Sequence, residues 1–307
     1  MCNAYKASVR QTFMQLCKQS FASEDANSAR MGIKMIIGNR VFDTQNHTYI
    51  MGILNATPDS FSDGGAFSTI DKALYRVQQM VEEGAHILDI GGESTRPGHR
   101  QIEVDEEIER VVPIIEQVVK EFDIPISIDT YKGQVAKAAL VAGACMVNDI
   151  RGLAYDPGMI NVIRKANASV CLMHNRHDIP EQESEKKQFL DNVIEALQES
   201  IQKAEQGGIG SDKIMIDPGV GFGKTYEQNL IVIGSLSRFT ELPYPVLLGT
   251  SRKSVIGQTL DLSIGEREEG TLVTTVMAVM AGCSFVRVHD VKKNRRAIDM
   301  TKAILRR

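Results

Sequence analysis

The chain has 307 residues, of which 43% are hydrophobic, and it carries a formal net charge of −4 at pH 7. This length suits one large α/β domain, and no linker rich in proline, glycine or serine divides it. The weak negative charge gives no reason to expect a nucleic-acid partner or an acidic membrane surface. The apolar runs are short, the start of the chain lacks the apolar core of a signal peptide, and the five cysteines form no CxxC pair. We therefore expect a cytoplasmic protein with reduced, buried cysteines.

The first 30 residues do not share the periodic pattern of the rest of the chain. They are interpreted as an N-terminal extension, a candidate mobile arm, before a single domain over residues 31–307. At the start of that domain, Gly38-Asn39 separates two short apolar stretches between Ile33 and Val41. This pattern predicts a β-hairpin, which we expect to close the bottom of the fold.

Eight short apolar runs follow, and each ends in a polar residue. The runs cover residues 50–54, 86–88, 125–128, 145–147, 170–173, 214–216, 246–249 and 285–288. They end at Asn55, Asp89, Asp129, Asn148-Asp149, His174, Asp217, Thr250-Ser251 and His289. Unbroken apolar runs of this length are typical of buried parallel strands.

Segments with helical periodicity separate these runs. Their apolar faces fall within residues 70–81, 104–115, 135–142, 190–204, 230–236, 273–281 and 298–305, and Asp156-Pro157 opens one more helix. Ser68 and Thr130 are further candidate helix starts, because short polar side chains cap helix N-termini. Strand and helix alternate eight times, which predicts one α/β domain, a (β/α)8 TIM barrel. The active site of such a barrel lies at the C-terminal ends of its strands, where the polar residues would share one rim.

Three loops after predicted strands, residues 55–65, 89–98 and 217–224, are rich in glycine and short polar residues. Glycine and proline are ordinary turn residues, so simple connections are one interpretation. The first two loops are long, however, and long loops in compact domains are usually functional. They carry candidate anion or metal ligands, namely Asn55, Asp63, Ser94, Thr95 and Arg96.

The ends of the seventh and eighth predicted strands favour an anion site. Thr250 to Ser254 joins the seventh strand to a helix, whose N-terminus offers free backbone N–H groups. Arg287 and His289 stand two apart on the eighth strand, so both project to the same side. A salt bridge for Arg287 and a hydrogen-bonded strand-end role for His289 are the structural alternatives. We favour phosphate binding, because the loops after strands seven and eight of such barrels frequently hold phosphate.

Asp129, Asn148 and Asp217 end three other predicted strands. Each alone is most often a helix cap or turn residue. Facing one cavity together, they can recognise a flat heterocycle, because carboxylates accept paired N–H donors and an amide both donates and accepts. The candidate walls of such a pocket are the apolar side chains of Ile150, Met173 and Phe222.

His174 and His177 with Asp178 suggest a metal site, but no further ligands follow at zinc-like spacing. We therefore interpret this segment as a polar loop. Asn55 beside an expected phosphate site favours Mg²⁺ instead, held mainly by oxygens of the ligand. The sequence thus predicts Asn55 as a ligand of the metal.

In order along the chain, these motifs resemble those of the dihydropteroate synthases. The matching segments are Asn55–Gly65, Asp89–Gly98, Asp129-Thr130, Asn148–Ile150, Met173-His174, Asp217–Lys224, Ser251–Ser254 and Phe285–Asp290. The resemblance extends from about Ile33 to the C-terminus, and the ordered combination is specific although no single motif is. Ala56 stands where valine is usual and Val220 where isoleucine is common, and neither side chain has chemistry to lose.

The resemblance implies a transferase that condenses 6-hydroxymethyl-7,8-dihydropterin diphosphate with 4-aminobenzoate to give 7,8-dihydropteroate and pyrophosphate. This reaction is a step of tetrahydrofolate (folate) biosynthesis and the target of sulfonamides. The resemblance also implies Mg²⁺ as the cofactor and a homodimer, although no interface is readable in the sequence.

The same resemblance implies roles for individual residues. It implies pterin binding by Asp129, Asn148, Asp217, Lys253 and Arg287, within the walls formed by Ile150, Met173 and Phe222. It implies a pyrophosphate site of Asn55, Thr95, Arg287 and His289, with Mg²⁺ at Asn55. The expected border of the 4-aminobenzoate site is Phe61, Thr95, Pro97, Lys253 and Ser254. The expected catalytic residues are Asp63, Lys253 and Arg287, and Asp63 can offset the charge of a pterin-methyl cation formed when diphosphate leaves.

Three alternatives share parts of this pattern. A pterin-binding methyltransferase domain has the barrel and the pterin pocket, but it needs neither a pyrophosphate site nor an aminobenzoate site. Another phosphate-binding barrel, such as an aldolase or isomerase, commonly uses a strand-end lysine or glutamate, and Lys253 stands at such a place. The third alternative is a non-catalytic binding module, against which the intact candidate groups at every position weigh.

Overall fold

The computed structural model describes residues 34–56, 69–94, 101–175 and 186–306. The expected N-terminal extension lies outside these ranges. So do four candidate site residues on the first two loops, namely Phe61, Asp63, Thr95 and Pro97. None of the helices in the described ranges is long and apolar enough to cross a membrane.

The described chain begins with the hairpin expected from the sequence. Strand β1, Lys34–Ile37, pairs antiparallel with strand β2, Arg40–Asp43. Gly38, in the turn, has a φ angle of 60°, a left-handed conformation that glycine adopts without a side-chain clash. The turn residues therefore account for the reversal of the chain.

Eight parallel strands then form one sheet in the order β8-β7-β6-β5-β4-β3-β10-β9. They are β3 (Tyr49–Asn55), β4 (Ile87–Gly91), β5 (Ile126–Asp129), β6 (Met146–Asp149), β7 (Ser169–Met173), β8 (Ile214–Asp217), β9 (Leu247–Leu248) and β10 (Phe285–Val288). A parallel bridge between Ile216 and Val246 joins β8 to the residue before β9, which brings the two edges of the sheet together. The predicted barrel is confirmed.

Ten α-helices lie between and after these strands in the described residues. They are α1 (Thr69–Glu82), α2 (Val104–Glu121), α3 (Gly133–Val141), α4 (Met159–Ala166), α5 (Lys186–Gln206), α6 (Tyr226–Ile233), α7 (Leu236–Thr240), α8 (Ser254–Leu260), α9 (Glu268–Met280) and α10 (Val291–Leu305). Two 3-10 helices, Ser211–Lys213 and Ile264–Glu266, complete the pattern. The helical segment expected near residues 230–236 is divided into α6 and α7.

Two helices start later than expected. Helix α3 begins at Gly133 and not directly after Thr130, and α4 begins at Met159 and not at the expected Asp156 cap. Asp156 nevertheless serves as a cap, because its Oδ2 accepts from the Gly133 backbone N–H at 2.7 Å. It thus satisfies a donor at the start of α3, the preceding helix in the chain.

Alternation along the strands divides the core into two layers. Residues such as Ile50, Leu88 and Val286 belong to the large cluster between barrel and helices. The barrel interior holds a second cluster, formed by Met51, Ile87, Met146, Cys171, Met215, Leu247 and Phe285 together with Met35, Ile37 and Phe42 of the hairpin. The rings of Phe42 and Phe285 lie 5.6 Å apart. The hairpin therefore closes the bottom of the barrel, as expected.

Candidate active site

Above this apolar cluster, towards the C-terminal ends of the strands, the side chains that face the barrel interior are polar. Asp89, Asn148, Asp217 and Arg287 each stand two residues beyond a member of that cluster. Side chains two apart in a strand point to the same face, so all four project into the barrel. Asp129 ends β5 and lies opposite Asn148 in the neighbouring strand. The strand pattern thus brings the predicted polar rim residues together at the C-terminal end of the barrel.

Arg287 is held between two carboxylates at this level. Its Nε donates to Oδ2 of Asp89 and its Nη2 donates to Oδ2 of Asp129, both at 2.6 Å. Asn148 Nδ2 also donates to Oδ2 of Asp89, at 3.0 Å. Although burial disfavours the charged form, Asp89 and Asp129 raise the pKa of Arg287 above its ordinary value. The guanidinium is therefore both charged and fixed in direction.

Asp89 had no site role in the sequence-based expectation, although it ends one of the predicted apolar runs. Its side chain is 0% exposed and serves both Arg287 and Asn148. A signal was present in the sequence, because Asp89 stands two residues after Ile87 and so faces the same interior. Asp89 is therefore a positioning residue for Arg287.

Two buried carboxylate oxygens at this level have no hydrogen-bond partner within the described part of the chain, Oδ1 of Asp89 and Oδ1 of Asp129. An unpaired buried acceptor costs about 1–3 kcal/mol, so a ligand that donates hydrogen bonds here would gain affinity. Burial raises the pKa of Asp129 to about 7, against the opposing effect of Arg287. The protonation of Asp129 is therefore poised near neutral pH.

Asp217 and Lys253 both border the space beside Gly249. A Cβ atom at Gly249 would lie 3.5 Å from Asp217 Oδ2 and 3.7 Å from Lys253 Nζ. Burial raises the pKa of Asp217 and lowers the pKa of Lys253 to about 8, and the opposite charge of the partner opposes both shifts. Because Gly249 has no side chain, it does not fill the space beside these two groups.

The loop after β8 is built around two lysines. Lys253 Nζ donates to the Val220 carbonyl and lies 4.5 Å from the centre of the Phe222 ring, a cation–π distance. Lys224 Nζ donates to the carbonyls of Gly219 and Phe222 at 3.0 and 3.1 Å. Lys253 therefore contacts the ring of Phe222, and Lys224 binds its backbone carbonyl.

An apolar cluster borders the polar rim residues. Tyr131, Ile150 and Met173 are buried together, and Phe222 packs against them. Ile150, Met173 and Phe222 are the three wall residues predicted from the sequence, whereas Tyr131 was not anticipated. The Tyr131 hydroxyl donates to Glu93 Oε1 at 2.8 Å, which connects the wall to the second long loop.

A buried lysine anchors both described ends of that second loop. Lys132 Nζ lies 2.7 Å from Glu93 Oε2 and 2.7 Å from Glu107 Oε2, and it also donates to the Ile102 carbonyl. Glu93 Oε2 in turn accepts from the Ile102 backbone N–H at 3.1 Å. Lys132 therefore holds together Glu93 and Ile102, which lie nine residues apart in the chain.

The predicted anion residues meet where β9 and β10 end. Ser251 Oγ lies 2.9 Å from His289 Nδ1 and accepts from the His289 backbone N–H at 3.2 Å. Arg76 of α1, which the sequence did not single out, donates from Nη2 to the His289 carbonyl at 2.7 Å. Thr250 instead bonds Thr274 and supports the fold, while Ser254 is exposed at the start of α8.

The described residues contain no group of three or more His, Cys, Asp or Glu side chains that could hold a metal ion. His174 Nδ1 lies 2.9 Å from Lys224 Nζ, and His177 and Asp178 lie outside the described residues. Asn55 ends β3, half-buried, two residues after the inward-facing Ile53. One amide oxygen at the rim fits Mg²⁺ that takes most of its ligands from a bound phosphate group.

Comparison with known proteins identifies the family of this chain. The family model described as "Pterin binding enzyme" matches residues 51–289. A dihydropteroate synthase of Clostridium beijerinckii is 52% identical over 274 residues, which cover 89% of this chain and 100% of that protein.

Solved structures agree with the sequence relatives. A dihydropteroate synthase from Clostridium difficile, crystallised in the presence of pteroic acid, has a TM-score of 0.82 and 50% identity over 87% of this chain and 100% of that chain. One from Xanthomonas albilineans, with 4-aminobenzoic acid, has a TM-score of 0.84 and 38% identity over 90% of this chain and 99% of that chain. The chain therefore belongs to the dihydropteroate synthase family of pterin-binding enzymes, and it is a transferase.

Proposed function

We propose that the chain condenses 6-hydroxymethyl-7,8-dihydropterin diphosphate with 4-aminobenzoate, giving 7,8-dihydropteroate and pyrophosphate. The single observation that carries this proposal is the buried arrangement in which Arg287 bridges Asp89 and Asp129, with carboxylate oxygens left open beside it. The family supports it, because the relatives' ligands, pteroic acid and 4-aminobenzoic acid, contain one or both halves of the proposed product.

For the pterin, we assign Asp129, Asn148 and Asp217 to the polar edge of the ring. Asp129 Oδ1 is open, and Asp217 borders the space beside Gly249. A carboxylate accepts two parallel hydrogen bonds from an N–H and an adjacent amino group. The remaining ring contacts are assigned to Lys253 and Arg287 and to the walls Ile150, Met173 and Phe222.

The diphosphate is assigned to Asn55, Thr95, Arg287 and His289. Arg287 supports this role because it is charged and held in place, and His289 because Ser251 fixes its ring. Asn55 is assigned as the protein ligand of Mg²⁺, which would neutralise charge on the departing diphosphate. Arg287 stabilises the same charge through its guanidinium.

The reaction requires no activated protein nucleophile. The bond between the pterin methylene carbon and the diphosphate oxygen breaks, and its electron pair leaves with the diphosphate. Ring nitrogen electrons stabilise the resulting cation, whose charge Asp63 offsets. The amine lone pair of 4-aminobenzoate then forms the new carbon–nitrogen bond, and the nitrogen releases a proton. We assign the aminobenzoate site to Phe61, Thr95, Pro97, Lys253 and Ser254, so the protein acts by positioning and charge.

We also propose a homodimer that uses the outer faces of α9 and α10. Val273, Met277 and Met280 are 59%, 37% and 60% exposed and form one stripe along α9. Met300 and Ile304 are exposed on the adjoining α10. Exposed apolar patches of this kind mark protein-interaction surfaces. Sedimentation of Met280→Lys should show monomer, whereas Val141→Lys, at an exposed site on α3, should not change the oligomeric state.

The proposed compartment is the cytoplasm. Cys145 and Cys171 are free thiols, and Cys171 is buried. A reducing compartment maintains free thiols, whereas oxidising compartments favour disulfides. Thiol titration of protein isolated under non-reducing conditions should therefore recover these cysteines unpaired.

The test of the reaction is a coupled assay of pyrophosphate release with Mg²⁺. We expect release only when dihydropterin diphosphate and 4-aminobenzoate are both present, and we expect a sulfonamide to compete with 4-aminobenzoate. Absence of release by folded protein would refute the assignment. Methyl transfer from a methylated pterin to a corrinoid protein would favour the methyltransferase alternative instead.

A further inference from the structure

A second cavity lies at the end of the barrel opposite the candidate active site. It has a volume of about 350 Å³ and lies between the beginnings of β3 and β4 and the last turns of α10. Tyr49 and His86 line it from the strand side, and Arg295, Lys302 and Arg306 line it from the helix side. A cavity of this size is in the range that holds small molecules. We refer to it as the basic cavity.

Among the described residues, cations outnumber carboxylates in the lining of the basic cavity. In the part of the chain that the structure describes, Asp299 is the one carboxylate of the cavity lining, and Arg295 Nε already donates to it at 2.8 Å. Within the described ranges, neither Lys302 nor Arg306 forms an ion pair. Burial lowers the pKa of Lys302, and Asp299 opposes this shift most strongly, with a smaller contribution from Asp43. The nearby charges of Arg306 and Arg295 lower the pKa as well. An anion placed here would relieve this repulsion.

His86 adds a neutral hydrogen-bond donor to the same cavity. Its Nδ1 accepts from the Ile50 backbone N–H at 3.0 Å, so the neutral ring carries its hydrogen on Nε2. Burial, together with the nearby charges of Arg295 and Lys302, lowers the pKa of His86 to about 4, so the ring stays neutral at pH 7. The cavity lining therefore combines two cations that form no ion pair within the described ranges with one neutral imidazole.

We propose that the basic cavity binds a phosphate or diphosphate group through Lys302, Arg306 and the Nε2–H of His86. Phosphate oxygens accept charge-assisted hydrogen bonds from ammonium and guanidinium groups and ordinary ones from imidazole. A bound group would join α10 to the start of β4. Because it lies at the opposite end from Arg287 and Lys253, its occupancy is separable from the reaction.

The test is nuclear magnetic resonance of protein labelled in the histidine rings, titrated with inorganic diphosphate at constant ionic strength. Signals of His86 report the basic cavity, and signals of His289 report the candidate active site. We expect His86 to shift with a Kd below about 1 mM. The double variant Lys302→Gln/Arg306→Gln should weaken that response at least about tenfold and leave the His289 response unchanged.

Lys292→Gln is the matched control, because Lys292 is an exposed lysine of α10 outside the cavity. Its His86 response should equal that of the unchanged protein. Titration with adenosine diphosphate separates two sources of the ligand: tighter binding than inorganic diphosphate indicates a phosphate carried on a larger molecule, and weaker binding indicates the free anion. An unmoved His86 signal up to about 10 mM of both ligands, or an undiminished response in the double variant, overturns the proposal.

Discussion

Arg287 Nε lies 2.6 Å from Oδ2 of Asp89, a carboxylate that is completely buried beneath the rim of the barrel. The same oxygen accepts from Asn148 Nδ2. Asp89 therefore orients two proposed ligand-binding groups at once, before any ligand is bound. This relationship makes the geometry of the candidate site depend on a residue below the rim.

Replacing Asp89 with asparagine should reduce kcat/KM at least about tenfold. The amide keeps the size of the carboxylate but removes the charge that holds the Arg287 guanidinium. Steady-state kinetics of pyrophosphate release measure the effect. Asp261→Asn is the control, since Asp261 is exposed and its left-handed φ of 52° is acceptable for asparagine. Unchanged kcat/KM in Asp89→Asn would show that Asp89 does not position Arg287.

Gly249→Ala should raise the KM for dihydropterin diphosphate about tenfold without unfolding the protein. The added Cβ makes only ordinary contacts, the nearest 3.5 Å from Asp217 Oδ2, but it occupies space that we assign to the ligand. We expect the Tm to stay within about 2 °C, as for Gly265→Ala, where a Cβ meets no atom within 4 Å. A normal KM in Gly249→Ala would mean that the ligand lies elsewhere.

Binding of hydroxymethyldihydropterin should be strongest between about pH 7 and about pH 8. Burial raises the pKa of Asp129 to about 7, so its accepting, ionised form is lost as the pH falls through that value. Burial lowers the pKa of Lys253 to about 8, so its charge is lost as the pH rises through that value. Calorimetric titration across this range measures the profile. Asp129→Asn should flatten the acidic side; a profile that Asp129→Asn leaves unaltered would contradict the assignment.

Lys132→Met should destabilise the protein by about 3–5 kcal/mol, because it leaves Glu93 and Glu107 buried without their shared cation. Chemical denaturation measures the change. Lys137→Met, at an exposed position of α3, should cost less than about 0.5 kcal/mol. Equal effects of the two substitutions would mean that the buried ion pairs contribute little to stability.

Asp63→Ala should lower the rate of the chemical step far more than the affinity for the pterin substrate. Its proposed charge stabilises the cation that forms only after the carbon–oxygen bond breaks. Single-turnover kinetics give the rate of the step, and equilibrium titration gives the affinity. A proportional loss in both quantities would remove the proposed role from Asp63.

The barrel itself was predictable from the sequence, because buried parallel strands are continuous apolar runs with polar residues at their ends. The two-residue spacing from Ile87 placed Asp89 on the interior face, but no local pattern shows that its carboxylate pairs with Arg287, 198 residues further along the chain. Asp149 also ends one of the predicted apolar runs, but its contacts are local. It follows Asn148 directly, but its carboxylate accepts from the backbone N–H groups of Arg151 and Leu153 and forms a turn.

Contacts between segments that are distant in the sequence account for the other differences between the predicted and the observed structure. Asp156 caps α3, which begins 23 residues earlier in the chain. Lys132 joins Glu93 to Glu107, and neither pairing has a periodic signal in the sequence. Such contacts depend on how helices and loops pack around the barrel, which local patterns of polarity do not specify.

The most direct test of the proposed reaction follows the product itself. The protein is incubated with dihydropterin diphosphate, Mg²⁺ and 4-aminobenzoate labelled with ¹³C in the ring, and both products are quantified by mass spectrometry and pyrophosphate assay. We expect labelled 7,8-dihydropteroate in equal amount to the pyrophosphate released. Pyrophosphate without labelled dihydropteroate would mean simple hydrolysis of the diphosphate, and it would contradict the proposed condensation.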